Sequence, residues 1–458
     1  MRVLFLLSHA GHTRNFESAL RVLAERDHET TIVVDRLESQ SGIRNDEPLR
    51  SLCAEYGSRI RVVVCRMPAW HPASAPGVVL RGYEDYLRYL EPVYAGAPLL
   101  RERAAASAWL GHRRDPPRSL RGAATRRRLS TALHGFERRI PPRSLTRRLL
   151  AAERPDVLVA TPLVEFRSRQ VEWLRAAAGA GIPTVFPVAS WDNLTVKGSL
   201  HHHPDVVTVW NDLQRDEAIR LHGVRPDSIR ITGALAYDHW FATRPSTSRS
   251  EFLRRVGLPA ERPYLLYLCS SPFIAPAEAD YVVDWVRGVR ASPLLGDRAG
   301  VLVRQHPHAQ FDVEHRAELE RIGGVSLFPA APTNPVSSHS RADYFDSIHH
   351  SAAVIAINTS GFIESAILGR PGFTYLTDRY RRTQEQLLHF AYLVEENGGP
   401  ARIARSFAEH AEQLARSLAG EEDRTPRLEA FVERFVRPFG LDQPAAPRLV
   451  DAIETFAR

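Results

Sequence analysis

The chain has 458 residues, of which 44% are hydrophobic and 25% are charged, and it carries a formal net charge of +7. This length exceeds what one hydrophobic core usually supports, so two domains are predicted in an ordinary globular protein. The three cysteines, Cys53, Cys65 and Cys269, are too few and too scattered for a disulfide framework or a zinc site, which favours a reducing cytoplasm. No run of about 20 apolar residues is present that would span a membrane.

The first half of the chain alternates strand and helix in the manner of a doubly wound parallel sheet. The apolar run at 2–7 turns polar at once, which predicts a buried first strand rather than a signal peptide. A helix is predicted from about Arg14 to Arg26, with alanines and leucines at helical spacing on one face. Further strands are predicted at 31–34, 60–64, 156–160, 184–188, 205–210 and 229–233.

The turn after the first strand contains the first candidate catalytic residue. The run Gly11-His12-Thr13-Arg14 follows the strand, and His9 precedes it. Imidazole suits a general base because its pKa lies near working pH, so His12 is the preferred base and His9 is the second candidate. The alternative is that either histidine only caps the following helix or contacts a phosphate.

A second polar cluster, Ser190–Gly198, follows the strand at 184–188. Loops at strand ends carry binding sites disproportionately, so four of its residues are predicted to bind an acceptor: Trp191, Asp192, Asn193 and Lys197. Lys197 is the only lysine in a chain with 59 arginines, which indicates a place that needs a compact ammonium, such as a point contact to phosphate. The alternative for Trp191 is an ordinary place in the core. Glu165 and Arg167, after the strand at 156–160, are weaker candidates.

The excess positive charge lies in one segment, residues 101–150. It contains 14 arginines and three acidic residues, a net charge of +11, whereas the rest of the chain carries −4. Two Pro-Pro pairs are predicted to break the segment into short pieces. The first interpretation is a basic surface for an anionic membrane or a phosphate-rich acceptor, with roughly 1 kcal/mol for each near-surface arginine. The second is a solvated insertion, and the third is nucleic-acid binding, for which no signature is present.

The second half of the chain resumes the strand and helix pattern after a polar linker at 243–250. Three apolar runs, beginning at Tyr264, Val301 and Val354, end in polar residues. Because ligands of open α/β sheets bind at the carboxyl ends of strands, these endings are predicted to form one site. Its candidate residues are Ser270, Ser271, Arg304, His306, Thr359, Ser360, Gly361 and Glu364.

The turn after the third run indicates what such a site would bind. Asn358, Thr359 and Ser360 are suited to cap the next helix, whose first N–H groups and partial positive charge favour a phosphate. Gly361 lets the backbone approach a ligand closely, and Glu364, one turn later, suits a pair of ribose hydroxyls. The alternative is an ordinary capped turn between a strand and a helix.

Short motifs in the second half resemble the donor half of GT-B-fold glycosyltransferases: Gln305-His306-Pro307, Thr359-Ser360-Gly361 with Glu364, and Leu368-Gly369-Arg370-Pro371. The groups they resemble are bacterial surface and capsule polysaccharide transferases and CDP-glycerol glycerophosphotransferases. UDP-sugar 2-epimerases share the architecture. The resemblance implies that His306, Thr359 and Ser360 contact the nucleotide phosphates, that Glu364 contacts the ribose, and that His12 acts on the acceptor.

The resemblance also implies the fold class, which is α/β with two Rossmann-like doubly wound domains of GT-B type facing across a cleft. The acceptor-side domain is expected at 1–242, with the Arg-rich insertion at about 101–150. The nucleotide-donor domain is expected at 251–438. The last helix, within 439–458, is expected to pack back on the first domain.

The implied activity is metal-independent transfer of a sugar from a nucleotide-sugar donor to a surface-glycan or lipid-linked acceptor. No metal or other cofactor is expected, because the chain lacks the Asp-x-Asp motif of metal-dependent transferases, and no nucleic acid is expected as a partner. The expected location is the cytoplasm, peripheral at the inner membrane face through residues 101–150. Three alternatives stay open: a CDP-glycerol-type glycerophosphotransferase, a UDP-sugar 2-epimerase and a non-catalytic partner in polysaccharide assembly.

Overall fold

The computed structural model describes residues 1–35, 37, 45–65, 75–111, 117–421 and 425–456, and these form two compact units. Unit 1 consists of Met1–His239 and Phe435–Arg458, and unit 2 consists of Trp240–Arg434. Each unit is an α/β domain built on one parallel sheet with helices on its faces. The prediction of two Rossmann-like doubly wound domains is confirmed.

Unit 1 contains a seven-stranded parallel sheet with the order β3-β2-β1-β4-β5-β6-β7. This is the strand order of dinucleotide-binding folds with one strand added. The strands are β1 Arg2–Leu7, β2 Glu29–Val34, β3 Ile60–Val64, β4 Val157–Thr161, β5 Thr184–Pro187, β6 Val206–Val209 and β7 Ile229–Ile231. The helices in this part of the chain are α1 Glu17–Glu25, α2 Glu47–Tyr56, α3 Ala75–Arg88, α4 Pro98–Ser107, α5 Ala123–Glu137, α6 Ser144–Glu153, α7 Val171–Gly179, α8 Asn193–Val196, α9 Asp212–His222 and α10 Asp238–Ala242.

Both faces of this sheet are covered. In β1, Val3, Phe5 and Leu7 enter one buried cluster, and Leu4 and Leu6 enter the other. A strand buried on both faces must be a nearly continuous apolar run, and this is why the sequence predicts the strands of unit 1 well. The first helix begins later than predicted, at residue 17, because residues 10–15 form a 3-10 helix.

Unit 2 contains a six-stranded parallel sheet with the order β10-β9-β8-β11-β12-β13, which repeats the arrangement of unit 1. Its strands are β8 Tyr264–Leu268, β9 Gly300–Arg304, β10 Val325–Leu327, β11 Ala353–Ile355, β12 Gly372–Tyr375 and β13 Ala401–Ala404. Its helices are α11 Arg249–Arg255, α12 Glu278–Ala291, α13 Val313–Ile322, α14 Ser338–His349, α15 Gly361–Ile367, α16 Phe407–Leu418 and α17 Thr425–Phe435. The sequence did not predict the two edge strands, β10 and β13, which are short and partly exposed.

The stretch 243–250 was predicted as a linker, but α11 begins inside it. The hydroxyl of Ser248 accepts from the backbone N–H of Glu251 at 3.3 Å, and the Glu251 carboxylate accepts from the N–H of Ser248 at 2.9 Å. This capping box satisfies two N–H groups that a helix start leaves without partners. The Ser-x-x-Glu spacing was therefore a helix signal that the linker interpretation overlooked.

The last helix, α18 Ala446–Glu454, packs in unit 1. Its apolar residues share a core cluster with those of α1. The carboxylate of Asp238 accepts the backbone N–H groups of Ala445 and Ala446, both at 2.9 Å, and so caps this helix. At the other end of α18, Glu454 lies 2.7 Å from Arg26.

The Arg-rich segment forms part of the packed unit 1. α5 begins after the first Pro-Pro pair and ends before the second, so the predicted breaks are confirmed, but α5 is 15 residues long and not a short piece. Buried ion pairs hold it, because Glu137 lies 2.7 Å from Arg81 and 3.0 Å from Arg175, while Glu172 lies 3.2 Å from Arg143. These five side chains are at most 11% exposed. Buried ion pairs therefore hold α5 and α6 to unit 1, while most residues of both helices are exposed to solvent.

Candidate functional site

In unit 1 the strand order reverses between β1 and β4, and open α/β sheets bind ligands at the carboxyl ends of the strands at such a point. The turn after β1 carries Ser8, His9 and His12, and the turn after β4 carries Glu165. The hydroxyl of Ser8 donates to Oε1 of Glu165 at 3.4 Å and lies 2.9 Å from Nδ1 of His12. The fold thus joins side chains that are 157 residues apart in the sequence.

The contact of Ser8 with Glu165 favours one tautomer of His12. A Ser8 hydroxyl that donates to Glu165 can only accept from His12, and in that arrangement Nδ1 of His12 carries the proton. The other nitrogen, Nε2, keeps its lone pair and can take a proton. The ring of His9 lies against that of His12, with centroids 3.8 Å apart. A base held by an orienting group is the arrangement that general-base catalysis needs, and the catalytic roles of His12 and His9 stay predictions.

The predicted acceptor turn, Ser190–Gly198, lies beside the same edge of the sheet. Nδ2 of Asn15, at the end of the turn after β1, donates to the carbonyl of Ala189 at 3.4 Å. Gly198 packs so tightly against the backbone of Glu165 that a Cβ would lie 2.3 Å from its carbonyl oxygen. A side chain at position 198 is therefore excluded, and the turn stays in contact with Glu165.

The four predicted acceptor residues have different environments within this turn. Trp191 is 6% exposed, and Asn193 is buried with its Oδ1 lacking a hydrogen-bond partner in the described parts of the chain. Asp192 accepts from the hydroxyl of Ser190 at 2.7 Å. Lys197 is half-buried, and no carboxylate among the described residues pairs with its ammonium. Its charge is therefore available to a ligand, and its contact with a phosphate stays a prediction.

A pocket of about 220 Å³ opens beside Ser8 and Glu165. Asp35, Arg167 and Arg169 also line it. Carboxylates and guanidinium groups in one pocket suit a polar ligand that both donates and accepts hydrogen bonds. Glu165 and Arg167, the weaker candidates in the sequence analysis, therefore line the same pocket as Ser8, which contacts the predicted base His12.

Unit 2 repeats the reversal of strand order, between β8 and β11. Ser270 follows β8 and Asn358 follows β11, and the backbone N–H of Asn358 donates to Oγ of Ser270 at 3.4 Å. The side-chain amide of Asn358 donates to the carbonyl of Thr383 at 2.8 Å, while its Oδ1 is buried without a partner among the residues described. Two of the polar strand ends predicted for this unit therefore meet at one edge of the sheet.

The predicted capping of α15 is realised only in part. Oγ1 of Thr359 accepts from the N–H of Gly361 at 3.2 Å, whereas the side chain of Ser360, at the cap position, makes no capping bond. A Cβ at Gly361 would lie 2.5 Å from Cδ1 of Leu268, so a larger residue would displace this leucine side chain where α15 begins against the end of β8. The Ser360 hydroxyl is therefore not used by the helix.

The turn after β9 contains His306 in a defined tautomer. Its Nδ1 accepts from the backbone N–H of His308 at 3.1 Å. A neutral imidazole that accepts at Nδ1 carries its proton on Nε2, and an N–H donor is what a phosphate oxygen needs. The predicted phosphate contact of His306 is consistent with this geometry and stays a prediction.

Glu364 and Arg304 are linked through Tyr344, a residue of α14. The Tyr344 hydroxyl donates a short hydrogen bond to the Glu364 carboxylate, and its ring centroid lies 5.2 Å from the Arg304 guanidinium. Arg304 is 6% exposed and donates to Oγ of Ser347 at 2.8 Å, and burial lowers its pKa to about 10. Arg304 therefore supports α14 and Tyr344, and a direct contact with a donor stays a prediction.

Glu278, in the first turn of α12, is a buried carboxyl group beside the same strand end. Its Oε2 accepts from the N–H of Ser270 at 2.7 Å, and its Oε1 accepts from the hydroxyl of Tyr267 at 3.1 Å. Burial raises the pKa of Glu278 to about 8, although both hydrogen bonds favour the charged form. Glu278 therefore positions Ser270 at the end of β8.

We expect unit 2 to lose stability as the pH rises from about 4.5 to about 8. Folded Glu278 keeps its proton in this window and the unfolded chain releases it, so each pH unit lowers the free energy of unfolding by at most about 1.4 kcal/mol. Above this window the loss is complete and the curve levels. Urea denaturation between pH 5 and pH 8 measures the slope, and Glu278→Gln should flatten it. The same slope in Glu278→Gln would show that another group titrates.

Three residues of these two sites were missed in the sequence: Ser8, Glu278 and Tyr344. Serine after a strand and glutamate at a helix start are both common, so neither carried a local signal. Tyr344 meets Glu364 only through the packing of α14 on α15. Among the residues that the structure describes, no group of histidine, cysteine, aspartate or glutamate side chains is placed to hold a metal ion.

Comparison with known proteins gives structural matches and no sequence family. No protein-family model matches the chain, and no curated protein matches it. A Listeria monocytogenes protein described as a UDP-N-acetylglucosamine 2-epimerase is 13% identical with a TM-score of 0.56, and the match covers 99% of this chain and 96% of that one. The UDP-GlcNAc 2-epimerase of Neisseria meningitidis, solved with UDP-GlcNAc bound, is 9% identical over 99% and 100% of the two chains, with a TM-score of 0.54.

A glycosyltransferase from Rickettsia africae is also similar. It is 8% identical, with a TM-score of 0.53, and the match covers 100% of this chain and 98% of that chain. At such identities the likeness shows the fold alone. The chain therefore has the GT-B fold, which glycosyltransferases and UDP-GlcNAc 2-epimerases share.

Proposed function

We propose that the protein is a glycosyltransferase that moves a sugar from a nucleotide-sugar to a glycan or lipid-linked acceptor without a metal ion. The observation that carries the proposal is the Ser8–His12–Glu165 arrangement, which leaves Nε2 of His12 able to take a proton. An acceptor hydroxyl gives its proton to this nitrogen, and its oxygen bonds to the anomeric carbon of the donor. The bond from that carbon to the phosphate oxygen breaks, and the nucleotide leaves with the electron pair.

The nucleotide binds in unit 2, where β8 and β11 end. The Nε2–H group of His306 and the hydroxyls of Ser271, Thr359 and Ser360 are donors for phosphate oxygens, and Glu364 accepts from the ribose. These donors stabilise the charge of the departing nucleotide. The Neisseria meningitidis structure of the same fold holds UDP-GlcNAc, which supports a UDP-sugar as the donor class.

A UDP-sugar 2-epimerase is the second candidate, because solved structures of this fold carry that description. An epimerase converts the donor alone, whereas a transferase releases nucleotide in proportion to added acceptor. A CDP-glycerol-type glycerophosphotransferase would instead release CMP from CDP-glycerol. A non-catalytic assembly partner would show no turnover with any donor.

Nucleotide binding is the first test of this proposal. In the presence of EDTA, one of UDP, CDP, GDP, TDP and CMP is expected to raise the melting temperature, because a ligand at 100 times its Kd adds about 2.7 kcal/mol of stability. His306→Ala and Glu364→Ala should each abolish most of this shift. His308→Ala is the matched control, because it keeps the backbone N–H that donates to Nδ1 of His306 and removes only a ring contact, with centroids 5.3 Å apart.

Two outcomes would contradict the nucleotide site. The first is the absence of a shift with every nucleotide, which would favour the non-catalytic alternative. The second is a shift in Glu364→Ala and His306→Ala equal to that of the unmodified protein, which would place the nucleotide elsewhere.

The outward face of α5, defined by Arg128, Leu129, Ala132, Phe136 and Arg139, supplies contact with an anionic membrane. At about 100° per residue these positions fall on one side of the helix. Leu129 is 37% and Phe136 is 62% exposed, and both arginines are exposed. Exposed apolar side chains flanked by arginines suit the headgroup region of an anionic leaflet. Of the helices described, none is long and apolar enough to cross a bilayer.

Vesicle binding tests this face. Arg128→Ala/Arg139→Ala is expected to weaken binding to phosphatidylserine-containing vesicles by about 30-fold, since each near-surface arginine contributes about 1 kcal/mol. Co-sedimentation with and without phosphatidylserine measures the affinity. Arg127→Ala/Arg138→Ala removes the same charge from another face of the helix and is the control. An equal loss in both pairs would show that the outward face has no particular role.

A further inference from the structure

A cavity of about 720 Å³ opens in unit 1 between α3, α5 and the loop that precedes β6. It is separate from the pocket beside Ser8. Val78 of α3 lines that pocket, whereas Glu84 and Arg88 of the same helix line this cavity. Residues 84 and 88 lie about 9–15 Å further along the helix axis. The proposed transfer reaction therefore does not account for the cavity.

One wall of the cavity is fixed by a buried arginine. The guanidinium of Arg88 donates to the carbonyls of Lys197 at 3.0 Å and Gly198 at 2.8 Å, and a further short bond reaches the carbonyl of Leu194. These three hydrogen bonds from one guanidinium fix the backbone that leads into the loop 199–203. The wall is therefore formed before any ligand binds.

The acidic residues of the floor are partly compensated by one histidine. His201 lies 2.7 Å from Oε2 of Glu84 and 3.0 Å from Oδ1 of Asp85. Burial would lower the pKa of His201, but the two carboxylates outweigh it and raise the pKa to about 9. The imidazolium offsets one of the two negative charges, and the group of three side chains keeps a net charge of about −1 beside the cavity.

The opposite wall is one face of α5, the cavity face, which consists of Arg127, Ser130, Thr131, His134 and Arg138. These positions follow helical spacing, and they lie on the side of α5 that is opposite to the outward face. Arg127 and Arg138 are exposed, and neither forms an ion pair within the described part of the chain. Arg127 and Arg138, two guanidinium groups without a counter-charge, thus border a cavity whose lining also includes hydroxyls, imidazoles, the paired residues Glu84 and Glu91, and three leucines.

The remaining polar groups on the wall are close to neutral. Arg126 pairs with Glu91 at 3.2 Å. Burial lowers the pKa values of His202 and His203, so at neutral pH each ring has one N–H donor and one nitrogen acceptor. The cavity therefore combines two uncompensated positive charges with several groups that both donate and accept hydrogen bonds.

We propose that this cavity binds a phosphorylated saccharide, at a second site distinct from that of His12. Guanidinium groups bind phosphate through two parallel hydrogen bonds, which assigns the phosphate to Arg127 or Arg138. Ser130, Thr131 and His202 supply groups that donate to and accept from sugar hydroxyls. The volume is within the range of small-ligand pockets, about 300–1,000 Å³. The ligand is either a free sugar phosphate or the phosphorylated end of a glycan.

Calorimetric titration of the full chain at constant ionic strength tests the proposal. Glucose 6-phosphate is the probe, and glucose and inorganic phosphate are the references. Glucose 6-phosphate is expected to bind more tightly than either reference. Arg127→Ala/Arg138→Ala should weaken this binding at least about 10-fold, since each charge-assisted hydrogen bond contributes about 1.5–3 kcal/mol.

Two further variants make the test specific. Arg128→Ala/Arg139→Ala removes the same charge from the same helix outside the cavity and should leave the affinity unchanged. Thr131→Trp fills the cavity without removing a charge and should abolish binding. A phosphorylated oligosaccharide that binds more tightly than glucose 6-phosphate identifies a glycan end as the ligand, and equal affinity identifies the free sugar phosphate.

Three results would overturn the proposal. They are no binding of glucose 6-phosphate, equal affinity for inorganic phosphate, and equal losses in the two arginine pairs. Nucleotide-induced stabilisation should persist in Arg127→Ala/Arg138→Ala, so this test and that of the nucleotide site can fail separately.

Discussion

Replacing His12 with alanine is expected to lower the rate of sugar transfer by about 10²–10⁴-fold while leaving nucleotide binding intact. The loss is that of a general base whose Nε2 takes the acceptor proton. Because the proposed nucleotide site lies in unit 2, the thermal shift given by the nucleotide should stay the same in His12→Ala. The measurement is nucleotide release in the presence of acceptor, beside the thermal shift of the same protein sample.

Controls on the same turn separate a base from a structural residue. Added imidazole should restore part of the activity of His12→Ala, because a small base can occupy the space left by the side chain. Glu165→Gln, which weakens the acceptor of the Ser8 hydroxyl proton, should lower the rate less. His9→Ala keeps Ser8 and Glu165 in place, and a larger loss there than in His12→Ala would make His9, the second candidate, the base.

Replacing Glu137 with alanine is expected to lower the free energy of unfolding of unit 1 by about 3–5 kcal/mol. Glu137 lies 2.7 Å from Arg81, which is 1% exposed, and 3.0 Å from Arg175. Without Glu137, the nearest carboxylate to Arg81 is that of Glu172 at 3.7 Å, so a buried guanidinium is left poorly compensated. Burial already lowers the pKa of Arg81 despite both carboxylates. Urea denaturation followed by tryptophan fluorescence measures the change.

The matched control is Glu91→Ala, on the same group of helices. Glu91 pairs with Arg126 at 3.2 Å, but its side chain is 44% exposed, and Arg126 keeps the carbonyls of Leu120 and Arg121, at 3.2 Å and 2.8 Å, as partners. Its loss should cost at most about 1 kcal/mol. Similar losses for Glu91→Ala and Glu137→Ala would show that burial of the ion pair does not decide its contribution.

The structure divides the candidate residues into those at the ligand-binding edge of a sheet and those whose side chains are buried against another element. Those in strand-end turns, such as His12 and Ser270, lie where the strand order reverses, because the carboxyl ends of parallel strands meet at one edge. Arg304 shows the limit of the pattern. It also ends a strand, but its guanidinium is buried on α14 and bonded to Ser347. Position along the chain does not show whether the side chain at a strand end lies at the ligand-binding edge of the sheet or is buried against another helix.

The Arg-rich segment shows the same limit for a helix. Sequence patterns locate a buried helix face by its apolar residues. In α5 the buried residues are Arg126 and Glu137, while Leu129 and Phe136 are exposed. The pattern is inverted because the helix packs through ion pairs, whose partners lie on α3, α7 and the turn after α3. No local reading of residues 101–150 supplies those partners.

The sequence by itself determined the fold class and the position of most strands, because a strand covered on both faces must be an apolar run bounded by polar turns. It also determined which turns carry polar residues. Only the tertiary structure decided the order of the strands, the contact of Ser8 with Glu165, and which residues of α5 are buried, border the cavity or face outward. Those features depend on partners far apart in the chain, and packing chooses such partners through geometry and burial that no short window of residues contains.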